Sequence, residues 1–376
     1  MRELYDEMMN GPRPLGRRLN SVPLAAMCVG VVVSAAAMAF AQPEPPHFEA
    51  TVLERVEPRN GFRDYGYTIW SMADDGTVYG SVYDQRGHTK AIKSKVGEGT
   101  TWLLPRDPGQ IELRPIAAST SGVVLLFAFS WPQNYIYVPG HGGRQLNNLH
   151  PDLFFPDDMN NGYTLVGQVG VEPNHRAVAY RLQSGFEYLH EAPSDGRRIN
   201  QIGSIVGTTG LTPDDLFFRV WHSDSRVSNF TVPRLRAAVG VSDITNRDEV
   251  AGIHFRLDQS GRARLAGWFW SERTGLVEIP FRYEQPEGGF DVQIYGISDD
   301  GWVLGREHSR IVEQQGYFLW HVDGGFVNLS DLFAWAGRFD PHSAFHGVIN
   351  GPGQIAIEIF SVAQDRWVYA FLNPIK

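Results

Sequence analysis

The chain has 376 residues, of which 43% are hydrophobic and 20% charged, and such a composition can bury a large core and excludes general disorder. A formal net charge of −9 without a basic cluster argues against a nucleic-acid partner, because the phosphate backbone attracts basic surfaces. Cys28 is the only cysteine, so an intrachain disulfide and a cysteine-ligated metal are both excluded.

Residues 1–41 are typical of a secretory signal peptide. Arg13, Arg17 and Arg18 precede an apolar stretch over residues 23–40, and Ala39-Phe40-Ala41 matches the small-x-small cleavage pattern. We therefore predict cleavage before Gln42, a mature domain over residues 42–376, and a periplasmic or extracellular location in a bacterium. The alternative is an uncleaved anchor, since the apolar stretch nearly spans a bilayer, and only then is the membrane a partner.

A phrase of nine residues recurs along the predicted mature region. Its clearest copies are Met-Ala-Asp-Asp-Gly-Thr-Val-Tyr-Gly from residue 72 and Ile-Ser-Asp-Asp-Gly-Trp-Val-Leu-Gly from residue 297. Aligning all copies gives seven equivalent positions: Met72, Ala118, Asp158, Ile199, Ile244, Ile297 and Ile349. Self-similarity at intervals of about 40–50 residues indicates a repeat architecture.

Each repeat unit predicts four short strands. The phrase itself predicts a hairpin, because Asp, Asn and Gly tolerate the positive φ of tight turns. An aromatic-rich third strand follows, as at residues 265–270, and a fourth comes after a glycine turn, as at residues 275–279. Seven units of four strands predict an all-β fold, a β-propeller of seven four-stranded blades, with a two-sheet sandwich or an open stack of sheets as the alternative.

The two ends of the mature chain predict how the ring closes. The last unit has only three strands, over residues 347–349, 354–359 and 366–372, whereas the first strand of the mature chain, residues 48–56, has no unit of its own. Pairing that strand beside residues 366–372 completes the seventh blade and removes two exposed sheet edges.

The repeated phrase, the following Ala/Phe/Trp strand and the segment Asn328-Leu-Ser-Asp-Leu332 together resemble the HAF family of bacterial extracellular repeats. The resemblance covers most of residues 48–376, although the copy at Ala118 lacks the closing glycine and the copy at Ile349 ends in isoleucine. It implies an exported, propeller-like repeat protein. It transfers no catalytic residues, because the family motif is structural.

Sequence signatures of catalysis are absent: the chain has no Gly-x-Ser-x-Gly, no His-Glu-x-x-His and no phosphate loop. His342 and His346 are four residues apart, but Pro341 and Gly347 indicate a loop there, where that spacing does not make a metal site. We predict no metal and no cofactor.

Propeller geometry indicates where binding residues would lie. The loops between second and third strands and the links between blades share one face, around the central channel, and rigid scaffolds commonly carry binding residues on such loops. Aromatic and arginine side chains are the usual anchors of binding surfaces. The candidate ligand-binding residues on these loops are Tyr83, Arg86, Trp131, His254, Arg306, His308, Trp335 and His342.

Three functions remain open from the sequence. The leading one is a non-catalytic binding or interaction module whose loop-rich face binds a protein or glycan of the cell envelope. The second is a hydrolase or lyase acting on polysaccharide or ester substrates at the channel mouth, with Asp214, Asp215 or Glu307 as its acids. The third is a structural component that assembles through blade edges.

Overall fold

The structure is a computed structural model. The residues that it describes are 43, 46–53, 67–83, 89–103, 113–128, 133–146, 149–171, 173–181, 183–191, 193–210, 217–232, 240–257, 261–281, 291–308, 316–329, 339–340, 346–362 and 366–375. The predicted signal peptide lies outside these residues. In the part of the chain so described, no helix has the length and apolar character needed to cross a membrane.

The protein is a seven-bladed β-propeller of antiparallel sheets, as the repeat predicts. The first three blades are β2 (Tyr67–Met72), β3 (Val78–Tyr83), β4 (Thr89–Lys95) and β5 (Gly99–Trp102); β6 (Leu113–Ala118), β7 (Val124–Ala128), β8 (Gln133–Val138) and β9 (Gly142–Gln145); and β10 (Phe154–Met159), β11 (Leu165–Val169), β12 (Arg176–Arg181) and β13 (Gly185–Tyr188).

The next three blades are β14 (Ser194–Ile199), β15 (Ile205–Thr209), β16 (Phe217–Trp221) and β17 (Val227–Phe230); β18 (Gly240–Ile244), β19 (Val250–Leu257), β20 (Ala263–Ser271) and β21 (Gly275–Ile279); and β22 (Asp291–Ile297), β23 (Val303–His308), β24 (Gly316–His321) and β25 (Gly325–Asn328). In each of these six blades the strands pair in chain order, so the first strand lies innermost, at the channel.

The seventh blade combines both ends of the mature chain. Its strands are β27 (Gly347–Ile349), β28 (Ile355–Ser361), β29 (Arg366–Ile375) and, from the N-terminus, β1 (His47–Leu53); the two-residue β26 (Phe339–Asp340) also pairs with β28. The strand β1 is antiparallel to β29 along its whole length, from His47 opposite Ile375 to Leu53 opposite Tyr369. The predicted closure by a displaced N-terminal strand is therefore confirmed.

Seven hydrophobic clusters lie between neighbouring blades, one at each interface. Val166, Ala177 and Ile199 belong to the cluster between blades three and four, for example. The cluster at the closing interface joins Leu53 and Phe371 of blade seven to Ile69 of blade one. Because every interface has its own apolar core, the ring is held together without any disulfide.

The repeated phrase is a tight turn with one hydrogen-bond pattern in all seven blades. In blade one the amide of Gly76 donates to the carbonyl of Ala73 at 3.0 Å, and the amide of Ala73 donates to the carbonyl of Thr77 at 2.9 Å. Gly76 has φ of +80°, and Tyr163 and Asp248 adopt φ of 58° and 61° at the same position in blades three and five. The predicted hairpin turns are thus confirmed.

The closing glycine of the phrase allows two strands to approach closely. In blade four a Cβ on Gly207 would lie 1.8 Å from the carbonyl oxygen of Asp195 on the innermost strand. The same pair of strands has a register shift between Gly196 and Arg198, and equivalent bulges recur in blades one to six. Blade seven has no such shift in its β27–β28 pairing, and Ile357 stands at the glycine position there.

Where the phrase carries an Asn, in blades three, four and seven, its side chain joins that blade to the next one. In blade four the side chain of Asn200 accepts a hydrogen bond from the amide of Ser204 at 2.8 Å, which closes its own turn. Its Nδ2 donates to the carbonyl of Thr245 at 2.7 Å, in blade five. Asn350 makes the equivalent bond to the carbonyl of Ala73 and so connects the last blade to the first.

We expect Asn200→Ala to lower the free energy of unfolding by about 2–4 kcal/mol, because the buried amide of Ser204 loses its acceptor and the buried carbonyl of Thr245 loses one of its two donors. Asn200→Ser is the matched comparison, since a hydroxyl can still accept from Ser204 but cannot reach blade five. Urea unfolding of the two variants separates the contributions. If Asn200→Ser were as stable as the wild type, the turn alone, and not the connection between blades, would depend on Asn200.

Candidate functional site

Most of the sequence-predicted site residues lie outside the described residues: Arg86, Trp131, Trp335 and His342 do, and so does the side chain of Tyr83, whose backbone ends β3. The remaining three lie on strands, although the sequence placed them on loops. His254 is buried within β19, Arg306 is buried within β23, and His308 is the last residue of β23. The strands extend further than the aromatic and glycine signals indicated.

Because β19 extends past His254, this side chain is buried in the blade. Burial lowers the pKa of its imidazole, and neither ring nitrogen has a hydrogen-bond partner among the described residues. The nearest carboxylate oxygen, on Glu278, is 3.9 Å from Nε2. His254 is therefore packed inside blade five and is not presented to a ligand.

The central channel contains a cavity of about 170 Å³. Its walls come from the innermost strands of the blades and from the turns that follow them. At one end are Trp70 and Tyr295, and at the other are Asp74 and Asp299. The cavity is large enough for several water molecules or a small organic group.

Two carboxylates face this cavity at the same level, on the innermost strands of blades three and five, with Arg198 of blade four between them. The strand pairings place Asp158, Arg198 and Asp243 at equivalent positions, each one residue before the end of an innermost strand. The residue equivalent to Met72 and Ile199 is therefore Met159, and the sequence alignment of the third unit at Asp158 is wrong by one residue. That error concealed the pair of acids, since correct alignment places Asp158 and Asp243 in one column.

Both carboxylates accept backbone hydrogen bonds from two blades. Asp158 accepts from the amide of Met159 at 2.8 Å and from the amide of Ile199, in the next blade, at 3.0 Å. Asp243 accepts from Ile244 at 2.8 Å and, at 3.4 Å, from Ile297 in the next blade. These acids therefore hold the bulged strands in place and also present their remaining lone pairs to the channel.

Burial raises the pKa of both acids. Burial, and after it the charge of Asp158, raises the pKa of Asp243 to about 7. The hydrogen bonds from the amides of Ile244 and Ile297 and the charge of Arg198 act in the opposite direction. For Asp158 burial again dominates, and Arg198 is the largest opposing influence. Arg198 is itself fixed, because its Nε donates to the carbonyl of Ser242 at 2.7 Å.

A chain of hydrogen bonds runs around the channel at the turn end. The turn amides of blades two to six each donate to an oxygen at the same position of the next blade: Thr120 to Asn161, Asn161 to Gln201, Gln201 to Asn246, Asn246 to Asp299, and Asp299 to the carbonyl of Gly351. Asp74 accepts from the amide of Gly351, and its pKa is raised by burial and by the charge of Asp299. The turn end is thus a rigid polar ring.

Toward the opposite end of the channel, where the innermost strands begin, aromatic and basic side chains contact one another. The guanidinium carbon of Arg114 lies 3.1 Å from the centroid of the Trp70 ring, and the imidazole of His346 lies 5.3 Å from the same ring. The Trp70 indole donates to the hydroxyl of Ser81 at 3.1 Å, which fixes the ring. We call Trp70, Arg114, Tyr295 and His346 the channel mouth.

A buried cation lies behind the channel mouth. Arg306 is buried, and its guanidinium carbon lies 5.9 Å from the centroid of the Tyr317 ring. The centroids of the Tyr317 and Tyr295 rings are 5.5 Å apart. Burial lowers the pKa of His346, and Arg114 and Arg306 lower it further. Arg114 and Arg306 are therefore close enough to His346 to disfavour its protonation.

A serine, a histidine and an aspartate form a hydrogen-bonded chain elsewhere, between blades four and five. The Nδ1 of His222 is 2.6 Å from a carboxylate oxygen of Asp248, and its Nε2 is 2.9 Å from the hydroxyl of Ser228. The Ser228 hydroxyl, however, donates to Glu272 at 2.8 Å. Because the Ser228 proton is directed to Glu272 and not to His222, the group joins blades four and five and does not have the arrangement of a base-activated nucleophile.

Of the acids that the sequence offered for catalysis, Glu307 alone is among the described residues. Asp214 and Asp215 lie outside the described residues, and Glu307 is fully buried within β23. Among the residues the structure describes, no group of three His, Cys, Asp or Glu side chains could hold a metal ion.

No protein-family model and no curated protein matches the chain. Its fold is nevertheless similar to that of solved propeller structures. A catalytically inactive virginiamycin B lyase from Staphylococcus aureus, in complex with quinupristin, is 9% identical with a TM-score of 0.50, over 87% of this chain and 100% of the lyase. The selenomethionine-substituted form of that lyase gives a TM-score of 0.52 at 9% identity, over 87% and 99% of the two chains.

A prolyl endopeptidase is similar over part of its length only. Its TM-score is 0.51 at 14% identity, and the similarity covers 88% of this chain but 48% of the endopeptidase. At such identities the similarity establishes the β-propeller fold and nothing about the reaction or the ligand.

Proposed function

We propose that the protein is a non-catalytic, exported binding module of the HAF type, located in the periplasm or outside the cell, and that its ligand contacts the loop-bearing face at the channel mouth. The observation that carries this proposal is Trp70, which lines the channel cavity and is contacted by Arg114 and His346. Rigid aromatic and arginine side chains around a concave site are the usual anchors of binding.

The arrangement of the channel acids supports binding over catalysis. Asp158 and Asp243 each accept two backbone hydrogen bonds, so they serve the joint between blades. The Ser228–His222–Asp248 chain has its serine proton directed to Glu272. The carboxylates of Asp158 and Asp243 and the hydroxyl of Ser228 are thus each engaged in hydrogen bonds that join neighbouring blades.

A rigid ring also suits a binding surface for a protein or glycan of the cell envelope. The seven interface cores hold the blades in place, and the hydrogen bond from Trp70 to Ser81 fixes the Trp70 ring before any ligand arrives. A preorganised surface loses little conformational entropy on binding, which favours affinity.

The alternative function is a hydrolase or lyase acting on polysaccharide or ester substrates at the channel mouth. One observation favours it: the pKa of Asp243 is raised to about 7 beside Asp158, as an acid–base pair requires. This function would require turnover that Asp243→Asn abolishes.

The test is capture of envelope components by purified residues 42–376, with bound proteins identified by mass spectrometry and bound glycans by sugar analysis. We expect Trp70→Ala to lose the captured component. Tyr188→Ala is the matched control, because Tyr188 is an exposed aromatic residue on the outer strand β13 and contacts Arg176 as Trp70 contacts Arg114. Capture that both variants retain, or turnover of a polysaccharide or ester by the wild-type protein, would contradict the proposal.

A further inference from the structure

One level of the channel carries three charged side chains that are near one another but not paired. Asp158, Arg198 and Asp243 line the cavity at the same position of blades three, four and five. The Nε of Arg198 donates to the carbonyl of Ser242, so the guanidinium reaches the strand that carries Asp243. Among the residues that the structure describes, Arg198 nevertheless forms no ion pair with either carboxylate. Charges that are partly withdrawn from water are usually paired, so this level lacks a partner for them.

The guanidinium of Arg198 keeps donors for a ligand. Its Nε donates to Ser242 at 2.7 Å, and its Nη1 donates to the carbonyl of Arg197 at 2.8 Å. Within the described part of the chain, Nη2 forms no hydrogen bond. A guanidinium has five N–H groups in a fixed fork, so three remain, and a carboxylate is the group whose geometry they match.

The two carboxylates likewise keep acceptor positions. Each oxygen of Asp158 and of Asp243 accepts one backbone amide. A carboxylate oxygen has two lone pairs, so one lone pair remains on every oxygen. An ammonium group can therefore bind to Asp243 without displacing either of its amide bonds.

A ligand with a single charge is poorly matched to this level. A simple anion at Arg198 lies between two carboxylates, and a simple cation at Asp243 lies beside Arg198. A ligand that carries an ammonium group and a carboxylate side by side offsets both charges. An α-amino acid carries these two groups on one carbon atom, which suits side chains from adjacent blades.

The opposite wall of the channel is small and uncharged at the same level. In a ring of seven blades, blades seven, one and two lie across the channel from blades four and five. Their residues at this position line the cavity and are Val348, Ser71 and Ala117. Blade six has Gly296 there, which has no side chain. This wall therefore leaves room for a small ligand and presents methyl groups to an aliphatic side chain.

We propose that the channel binds a free α-amino acid with a small aliphatic side chain, its carboxylate on Arg198, its ammonium group on Asp243 and its side chain toward Val348. The cavity of about 170 Å³ has room for a molecule of this size. The inference goes beyond the proposed function, because it concerns a small molecule inside the channel and not the component bound at the loop-bearing face.

The experiment is isothermal titration calorimetry of residues 42–376 with L-valine, N-acetyl-L-valine and L-valinamide at pH 7. We expect L-valine to bind. The acetylated compound lacks the ammonium group and the amide lacks the carboxylate, so each should bind at least about tenfold more weakly. Absence of L-valine binding at about 10 mM, as expected if water alone separates these charges, or equal affinity for the three compounds, would overturn the proposal.

Glycine tests the position of the side chain. It carries both charged groups but lacks the three carbon atoms that would contact Val348, so it should bind at least about fivefold more weakly than L-valine. Equal affinity for glycine and L-valine would overturn the placement of the side chain against this wall.

Two substitutions assign the charged ends. Asp243→Asn should weaken binding of L-valine but not of N-acetyl-L-valine, and Arg198→Gln should weaken binding of L-valine but not of L-valinamide. Arg198→Lys, which keeps the charge but loses the paired donors, should show the same selectivity with a smaller effect. Asp224→Asn is the control, because Asp224 is an exposed acid paired with Arg226 between β16 and β17. Equal weakening of all three compounds by one variant would overturn the assignment of that end.

The outcomes also separate this inference from the proposed function. Capture of an envelope component that depends on Trp70, without binding of L-valine, would leave the proposed function intact and remove the amino-acid ligand. Binding of L-valine with the expected dependence on both charged groups, without any captured component, would support the channel ligand and contradict the proposed function.

Discussion

Removal of residues 42–53 is expected to prevent stable folding of the propeller, because it deletes the outer strand of blade seven. The deletion leaves the ten-residue strand β29 as an exposed edge and removes seven paired residues. It also removes Leu53 from the closing core and Phe48, Ala50 and Val52 from the neighbouring one. Lost hydrogen bonds and apolar burial together amount to roughly 5–10 kcal/mol, comparable with the whole stability of many domains.

Circular dichroism on heating and size-exclusion chromatography measure this effect. The matched control is removal of residues 42–46, which ends just before β1 and should leave the melting temperature unchanged. A synthetic peptide of residues 47–53 should partly restore the monomeric fold of the longer deletion. A longer deletion that stays monomeric with an unchanged melting temperature would mean that β1 does not close the ring.

Glu358→Gln is expected to stabilise the protein strongly above pH 8 and hardly at all near pH 4.5. Glu358 lies on β28 with 5% of its surface exposed, and burial raises the pKa of its carboxyl to about 8. In the unfolded chain the pKa is close to 4.5, so the folded state holds the proton more tightly. The wild-type free energy of unfolding therefore falls as pH rises from about 4.5 to about 8 through this group.

The size of the effect follows from the same two values. A shift from 4.5 to about 8 corresponds to roughly 3–5 kcal/mol, which the Gln variant should regain at pH 9. Urea unfolding at several pH values, compared between variant and wild type, removes the contributions of the other titrating groups. Glu98→Gln, at an exposed turn of blade one, is the control and should change little at any pH. A stability difference for Glu358→Gln that does not vary with pH would contradict the buried, protonated carboxyl.

The sequence alone was sufficient to predict the ring and its closure, for local physical reasons. Positive φ in the turns favours residues such as Gly76, and the close approach of two strands at Gly207 leaves no room for a side chain. Both requirements recur in successive blades, so the same residue types recur at regular intervals in the sequence. The count of three strands after residue 346 and one unpaired strand before residue 67 then left a single way to complete the seventh blade.

The channel site could not be predicted in the same way, because its chemistry depends on register. A bulge places Asp158 and Asp243 at one level, and a one-residue error in the third unit was enough to separate them. Trp70, Arg114 and His346 come from three different blades and share no sequence pattern. The candidates Arg306 and His254 were assigned to loops because strand ends carry only weak signals, whereas both side chains are buried.

The measurement that tests binding at the channel mouth most directly is hydrogen–deuterium exchange of residues 42–376, with and without the captured envelope component. We predict slower amide exchange at residues 67–72, 113–118 and 346–349, where the channel mouth lies. Slower exchange confined to the outer strands β5, β9, β13 and β17, with no change at those segments, would contradict the account and indicate assembly through blade edges.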